Sequence, residues 1–362
     1  MTNDEISQLI ASHAGGITDD EAEQLREQIA LVPEDGNVNR WRDNIIAAAD
    51  LLKLYKGTKD AIKMLNEAYG AWKIDHSNEY IQKVDILKKT CMLQLESKDT
   101  EGAHLSMNRY LYNALKQVGK LHSSPKMHYY SFRAFSEYSL KDIKEQTISL
   151  AHPREFNDPL DTILVWWLDD EIKNGQPGLE LDFKILMKKA IERIKIRCLI
   201  GAKYQDEHGV EHERKVEDLN VLMWAHYAKS HTGFCVEYDF DRGKLNMNYR
   251  AEEDKVDLLQ SISYVDSILP NGQPSMEEAL FQKSYFWKYE NEVRLCSFDS
   301  TSDKEFPVIE CKGAMKAVYL GAKCSDKDRR EMEKALASQD VPLYQMSVDE
   351  KSLTRFKKTQ IG

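Results

Sequence analysis

The chain has 362 residues, with 50 Lys and Arg against 60 Asp and Glu, a net charge of −10, 42% hydrophobic residues and 30% charged ones. That length suggests about two domains with real cores, and mixing the charge with 9% aromatic residues excludes an intrinsically disordered chain. The acidic balance weakens any sequence-independent duplex binder, whose affinity comes from Lys and Arg neutralising phosphates, and leaves only a local basic groove open.

The longest uninterrupted apolar run, Ile163 to Leu168, is far shorter than the roughly 20 residues that span a bilayer, so no membrane partner is expected. The start Met1-Thr2-Asn3-Asp4-Glu5 carries no basic leader followed by an apolar stretch, and a cytoplasmic location is the expectation. Six cysteines without a C-x-x-C pair read as reduced, mostly buried thiols, with neither a disulfide framework nor a structural zinc.

Apolar residues recur at steps of three and four in four successive stretches. These are Trp41, Ile45, Ala48, Leu52, Tyr55; then Ala61, Leu65, Ala68, Trp72; then Val84, Leu87, Cys91, Leu95; then Ala103, Met107, Tyr110, Ala114. The spacing predicts amphipathic helices starting near residues 41, 60, 80 and 101, with turn chemistry at Gly57-Thr58 and Asp99-Thr100-Glu101. The two hairpins are offset by about 40 residues, which resembles a tetratricopeptide-like repeat, with a plain helical bundle as the alternative. Residues 1 to 30 are expected to add one or two capping helices, with Asp19-Asp20-Glu21 at a helix start. Residues 1–122 therefore read as an all-α domain suited to a protein partner.

Gly119 and Ser123-Ser124-Pro125 mark a boundary, after which residues 126–362 read as an α+β domain. Strands are predicted at 128–133, 147–152, 232–240, 261–265, 292–298, 307–311, 317–320 and 342–348. Helices are predicted at 137–146, 161–173, 179–196, 221–229, 274–288 and 325–337. In the strand at 232–240, Phe234, Val236, Tyr238 and Phe240 share one face and Cys235, Glu237 and Asp239 the other. Many short strands without strict β-α-β repeats predict a mixed, mostly antiparallel sheet.

No phosphate-binding glycine loop, dinucleotide fingerprint, nucleophile elbow or H-E-x-x-H zinc motif is present. Four polar-aromatic clusters stand out instead. Tyr129-Tyr130-Ser131-Phe132-Arg133 places Tyr130 and Phe132 on one strand face and Arg133 on the other, where an inward guanidinium needs an anionic partner, from a ligand or from a neighbouring carboxylate. Phe156-Asn157-Asp158-Pro159-Leu160-Asp161 reads as a helix-capping turn that is also a place for a ligand-binding Asn157. In Met223-Trp224-Ala225-His226-Tyr227, followed by His231-Thr232-Gly233-Phe234, helical geometry predicts that His226 and Tyr227 do not share a face. His208 and His212 have metal-pair spacing inside an acidic loop. The fourth cluster, Lys283 with Trp287 to Arg294, sets Glu290 and Glu292 two apart at a helix-to-strand junction. Both carboxylates then look the same way, compensated by Lys288 and Arg294. A surface ion-pair ladder is the bland reading and a catalytic carboxylate pair the sharp one.

Phe-Asn-Asp-Pro at 156 to 159, Trp-x-His-Tyr at 224 to 227 leading into Gly233-Phe234, and Trp-x-Tyr-Glu-x-Glu-x-Arg at 287 to 294 together resemble a widespread bacterial family of unknown function, over residues 128 to 360. More distantly, the order of an aromatic-Arg strand, a short helix, a second strand and a late Glu-x-Glu resembles ADP-ribosyltransferases. That resemblance implies NAD as substrate, Arg133 on its phosphates or ribose, Glu292 as the catalytic carboxylate and Glu290 assisting the incoming nucleophile. Tyr130 or Tyr227 would stack on the nicotinamide, and Asn157, His226 and Arg294 would complete the substrate-binding set. Attached to a helical domain, such an enzyme would suit a toxin or phage-defence effector acting on a macromolecular acceptor. Two rivals remain: a metal-dependent nuclease or hydrolase built on His226, Asp239 and the Glu pair, and a non-catalytic nucleotide sensor.

Overall fold

Six helices open the chain: α1 (Asn3–Ser12), α2 (Asp19–Ile29), α3 (Val38–Tyr55), α4 (Thr58–Ala71), α5 (Tyr80–Glu96) and α6 (Thr100–Leu121). The structure, a computed structural model, describes every residue except 1, 14, 30–36, 72–79, 122–127, 159–160, 206–207, 241–246, 248–252, 267–273 and 353–354. Thr2 and Glu5 close a capping box on α1, and the acidic Asp19-Asp20-Glu21 opens α2, where negative side chains favour the positive helix end. The apolar stripes face inward as the spacing predicts: Trp41, Ile45, Ala48 and Leu52 on α3, Ala61, Leu65 and Ala68 on α4, Cys91 on α5, and Ala103 and Met107 on α6 are all fully buried. Successive helices pack on one another from α3 to α6. Trp72 and the Ser123-Ser124-Pro125 boundary lie outside the described residues.

The remainder is α+β. In chain order it contains β1 (His128–Arg133), α7 (Glu137–Glu145), β2 (Thr147–Ser149), α8 (Ile163–Asn174), α9 (Leu179–Ile191), β3 (Ile194–Gly201), β4 (Lys203–Gln205), β5 (Glu211–Glu213), α10 (Val221–Tyr227), β6 (Phe234–Asp239), β7 (Lys255–Ser261) and β8 (Ser263–Val265). There follow α11 (Met276–Phe281), β9 (Gln282–Ser284), a 3₁₀ turn (Tyr285–Glu290), β10 (Glu292–Asp299), β11 (Val308–Glu310), β12 (Met315–Leu320), α12 (Asp326–Leu336), β13 (Leu343–Val348) and β14 (Phe356–Gln360). Eight strands form one sheet in the order β14-β13-β12-β6-β1-β3-β10-β7. Every neighbouring pair is antiparallel except β12 with β13.

One apolar cluster runs from the helices into one side of this sheet, joining Leu111, Leu115 and Val118 to Phe183, Ile196, Val256, Leu258 and Phe298. The other side carries Tyr129, Phe234, Val236, Tyr238, Leu295 and Val318 under α7 and α12. The alternation of β6 is as predicted, with Phe234, Val236, Tyr238 and Phe240 in one cluster and Cys235 in another. All six cysteines are free thiols. No helix among the described residues is long and apolar enough to cross a membrane.

Three predicted elements differ. The helix expected over 179–196 stops at Ile191, and β3 follows, because Ile194, Ile196 and Cys198 alternate with Lys195, Arg197 and Leu199 at the strand period and the β-branched residues favour it. The helix expected over 274–288 shrinks to α11, since the crowded aromatics Tyr285, Phe286, Trp287 and Tyr289 are poor helix formers and wind into a 3₁₀ turn. The strand expected at 261–265 is the short β8, while the main-sheet strand β7 ends where it was to begin. Strands β4, β5, β9 and β14 carry no sequence signal beyond a few alternating residues.

The feature that positions a site is a gap in the sheet. Strand β1 pairs with β6 along its whole length, from His128↔Asp239 to Arg133↔Phe234. With β3 it pairs only at Tyr129↔Gly201 and Tyr130↔Ile200, while β3 keeps its ladder to β10 from Ile194 to Ile200. Ser131 to Arg133 and Arg197 to Leu199 therefore splay apart. The far side of β1 is fixed by Gly233: a Cβ there would fall 2.2 Å from the Arg133 carbonyl oxygen and 3.0 Å from the Ala228 backbone. Gly233 follows Lys229, Ser230 and His231, all at positive φ, in a tight turn closed by Gly233 N–H donating to the Ala228 carbonyl. Gly233→Ala is expected to cost about 1–3 kcal/mol through overpacking against unyielding backbone, read by urea unfolding, whereas an unchanged midpoint would show that the turn can relax.

Candidate active site

The gap between β1 and β3 is the wall of a cavity of about 350 Å³. Phe132, Arg133 and Ala134 line one side and Ile196 to Ile200 the other; Ser136 and Ser139 at the start of α7, Phe156 and Asn157, Asp161, Met223, His226, Tyr227, Lys283, Glu290 and Glu292 are also in the lining. Residues from both faces of the sheet reach one space because the ladder is broken there.

At its centre is a buried ionic cluster. Lys283 Nζ donates to Glu290 Oε2 and Glu292 Oε2, each at 2.7 Å, and lies 3.3 Å from Asp161 Oδ2. Behind it Arg294 Nε donates to Glu292 Oε1 at 2.7 Å, Nη2 lies 2.6 and 2.7 Å from the two Asp161 oxygens, and Nη1 donates to the Leu280 carbonyl at 2.6 Å. Tyr227 donates its hydroxyl proton to Glu290 Oε1 at 2.6 Å, and the Glu292 amide donates to the Tyr264 hydroxyl at 2.7 Å. Every ionised side chain of this cluster is at most 6% exposed. Three carboxylates face two cations, leaving one negative charge out of water, and such a group survives only when its remaining lone pairs are bonded.

Local structure explains the convergence. Glu290 ends the 3₁₀ turn, Asn291 adopts a left-handed conformation at φ 49°, and Glu292 starts β10. Asn291 Nδ2 donates to the Gly201 and Lys203 carbonyls, both at 2.7 Å, which locks the corner and turns both carboxylates towards Lys283. The aromatic turn is pinned by Lys283 over the Trp287 ring, 5.0 Å from its centroid.

Burial acts on these groups unequally. Burial raises the Glu290 carboxyl above its ordinary value of 4.5, and the Glu292 charge adds to the rise despite Lys283. Asp161 is likewise raised, by burial first and Glu292 next, against Arg294 and Lys283. Burial also opposes the charge on Glu292, but Arg294 and Lys283 together outweigh it and hold this carboxyl at about 2. The Cys198 thiol beside it stays protonated, pushed well up by burial and by the Glu292 charge. Adjacent carboxylates driven in opposite directions are chemically able to divide acid and base roles.

Seven of the eight predicted site residues line the cavity: Tyr130, Arg133, Asn157, His226, Tyr227, Glu290 and Glu292. Arg294 does not; it is fully buried with every guanidinium nitrogen engaged, so it positions Glu292 and Asp161 rather than meeting a ligand. The compensating lysine is Lys283, not Lys288, whose ammonium lies over the Tyr285 ring. The carboxylate pair is buried, which removes the surface-ladder reading. His226 and Tyr227 both reach the cavity, because α10 is only seven residues long and points its C-terminal end at the space. Trp224 is core, edge-on to Phe132 at 4.8 Å. Asn157 caps no helix, since α8 starts at Ile163 after Thr162, and Pro159 lies outside the described residues. Tyr130 donates its hydroxyl to the Arg214 carbonyl at 3.2 Å and offers the cavity only its ring. Arg133 meets Asp142 at 2.7 Å and Ser149 at 3.1 Å.

The metal constellation does not assemble: Asp239 lies 3.3 Å from His128 at the opposite end of β1 from Arg133, and no group of three or more metal-binding side chains occurs among the described residues. His212 stacks on Tyr204 on the exposed β5. Sequence reasoning missed Asp161, Lys283, Arg197 and Cys198. The first two stood within singled-out clusters; their only further signal is an acid and a base with no partner at helical or strand spacing.

Residues 223–295 match a family described as protein of unknown function (DUF2971). The matched span takes in Trp224 to Tyr227, Gly233 and Trp287 to Arg294, and leaves Arg133 and Phe156-Asn157-Asp158-Pro159 outside. No curated protein and no solved structure matches the chain.

Among the described residues, Lys283 is the one cation touching all three carboxylates. Lys283→Met is therefore expected to lose about 3–5 kcal/mol in chemical unfolding, the usual cost of orphaning a buried charge. Much of that loss should return in the double variant Lys283→Met with Glu290→Gln; independent, additive losses would mean that the cluster is not one electrostatic unit.

Proposed function

We propose that this cavity is the active site of an ADP-ribosyltransferase-like enzyme that takes NAD as substrate and passes its ADP-ribosyl group to a macromolecular acceptor. The reading rests on Glu290 and Glu292 lining one cavity with their proton affinities shifted in opposite directions. Breaking the bond between the ribose and nicotinamide develops positive charge on the sugar, and a fixed anion beside it lowers the barrier. Glu292, held ionised by Arg294 and Lys283, is suited to accept a hydrogen bond from a ribose hydroxyl and to stabilise that charge. Glu290, whose proton affinity is raised, is suited to take the proton from the acceptor as its nucleophile attacks the anomeric carbon. Nicotinamide leaves with the bonding electron pair of the broken bond. The rings of Phe132, Phe156, Tyr130 and Tyr227 supply flat apolar surface for a stacked nicotinamide.

Nicotinamide release from NAD, measured with the purified protein and a cell extract as acceptor source, tests this. Glu292→Gln is expected to lower kcat by about 10²–10³, the usual effect of deleting one transition-state charge contact, with the far-UV spectrum preserved. The sign of the pH dependence follows from Glu290: as a base it works deprotonated, so kcat/KM should rise with pH through a midpoint above 4.5, and Glu290→Gln should flatten that limb. Absence of any nicotinamide release, or full activity in Glu292→Gln, refutes the reading.

A further inference from the structure

Arg197 belongs to no motif, and its hydrogen bonds go to neutral groups of one residue. Its Nε donates to the Ser149 carbonyl at 2.8 Å and its Nη2 to Ser149 Oγ at 3.2 Å, the same hydroxyl that Arg133 Nη2 reaches at 3.1 Å. Two guanidinium groups thus converge on one serine. The neighbouring carboxylate, Asp142, is already saturated: it takes Arg133 Nη1 at 2.7 Å, Thr147 Oγ1 at 2.9 Å and the Ser149 amide at 3.0 Å. No carboxylate pairs with Arg197 among the described residues. Both arginines line the cavity, with only the exposed Glu155 as a further acid on this side of the ionic cluster.

We infer that Arg197, with Arg133 and the first turn of α7, forms an anion subsite that holds the phosphates of a nucleotide substrate. The inference rests on the nucleotide-glycoside reading above and adds which residue recognises the phosphates. Three features support it. The cavity is bipolar: the guanidinium half carries two cations against Asp142, and across the gap in the sheet the Lys283 cluster carries excess negative charge. A phosphorylated glycoside lies in that field with its phosphates by the arginines and its reacting carbon by Glu292. Helix α7, nine residues long, starts at the same spot, with its capping-box residues Ser136 and Ser139 on the cavity wall, so the positive end of its dipole lies beside the arginines. Burial, and then the charge of Arg133, lowers the Arg197 guanidinium to about 10, although Asp142 nearby favours its charged form. Arg133, the residue the sequence points to, is already neutralised by Asp142 and serves mainly to orient the pair.

Calorimetric binding of ADP and of adenosine to the full chain tests the subsite without requiring turnover. ADP is expected to bind at least about tenfold tighter than adenosine, since guanidinium-phosphate bonds are charge-assisted and bidentate. Arg197→Gln should erase that preference, Arg197→Lys should keep part of it, and Glu292→Gln should leave it intact. Equal binding of ADP and adenosine to the unmodified protein overturns the inference, and so does an undiminished preference in Arg197→Gln. Should Arg197→Gln fail to fold, the wild-type ratio and the Lys variant decide. Preference for ADP without nicotinamide release would sink the transferase reading and keep the subsite; nicotinamide release with no rise in KM for NAD in Arg197→Gln would do the reverse.

Discussion

Everything distinctive about the molecule depends on one buried ammonium. Lys283 touches Asp161, Glu290 and Glu292, side chains from two segments far apart in sequence, and without it three carboxylates would share a dry space with Arg294 alone. Desolvating so many charges is costly, and well-packed apolar residues of the same volume would be at least as stable. The result is asymmetry: the cations sit on both sides of Glu292 but on only one side of Glu290, so one carboxylate is held ionised and the other retains affinity for a proton.

The second constraint is the incomplete ladder between β1 and β3. Were the pairing continued past Tyr130, the arginines would lie on one sealed face of the sheet and the acidic cluster on the other. The split turns two faces into one cavity. Gly233, pressed on the Arg133 carbonyl, and Asn291, bonded to Gly201 and Lys203, hold the two edges of the gap in place. The helical region contributes from behind, since α6 and α9 share the apolar cluster on which β3, β7 and β10 rest.

Much of this was legible in the sequence. Helix periodicity located α3 to α6, and strict alternation located β6 with the correct inward face. Motif composition brought seven cavity residues forward although they span positions 130 to 292. What was not legible has physical causes. Arg294 looked like a ligand contact because its position on a strand says nothing about the carbonyl of Leu280 or the carboxylate of Asp161 behind it. Lys288 is nearer to the carboxylate pair in sequence than Lys283, but the 3₁₀ turn directs it outward over Tyr285. Arg197 lies one residue beyond the helix expected over 179–196, in no predicted element, and only strand β3 turns that side chain to the Arg133 face.

The central claim, that one environment drives two adjacent carboxylates in opposite directions, is directly observable. A carbon-13 NMR titration of protein labelled at the glutamate carboxyl carbons, assigned with Glu290→Gln and Glu292→Gln, reads each group separately. Glu292 is expected to stay ionised throughout the range in which Glu290 takes up its proton. Two carboxyls titrating together at the ordinary glutamate value would contradict it.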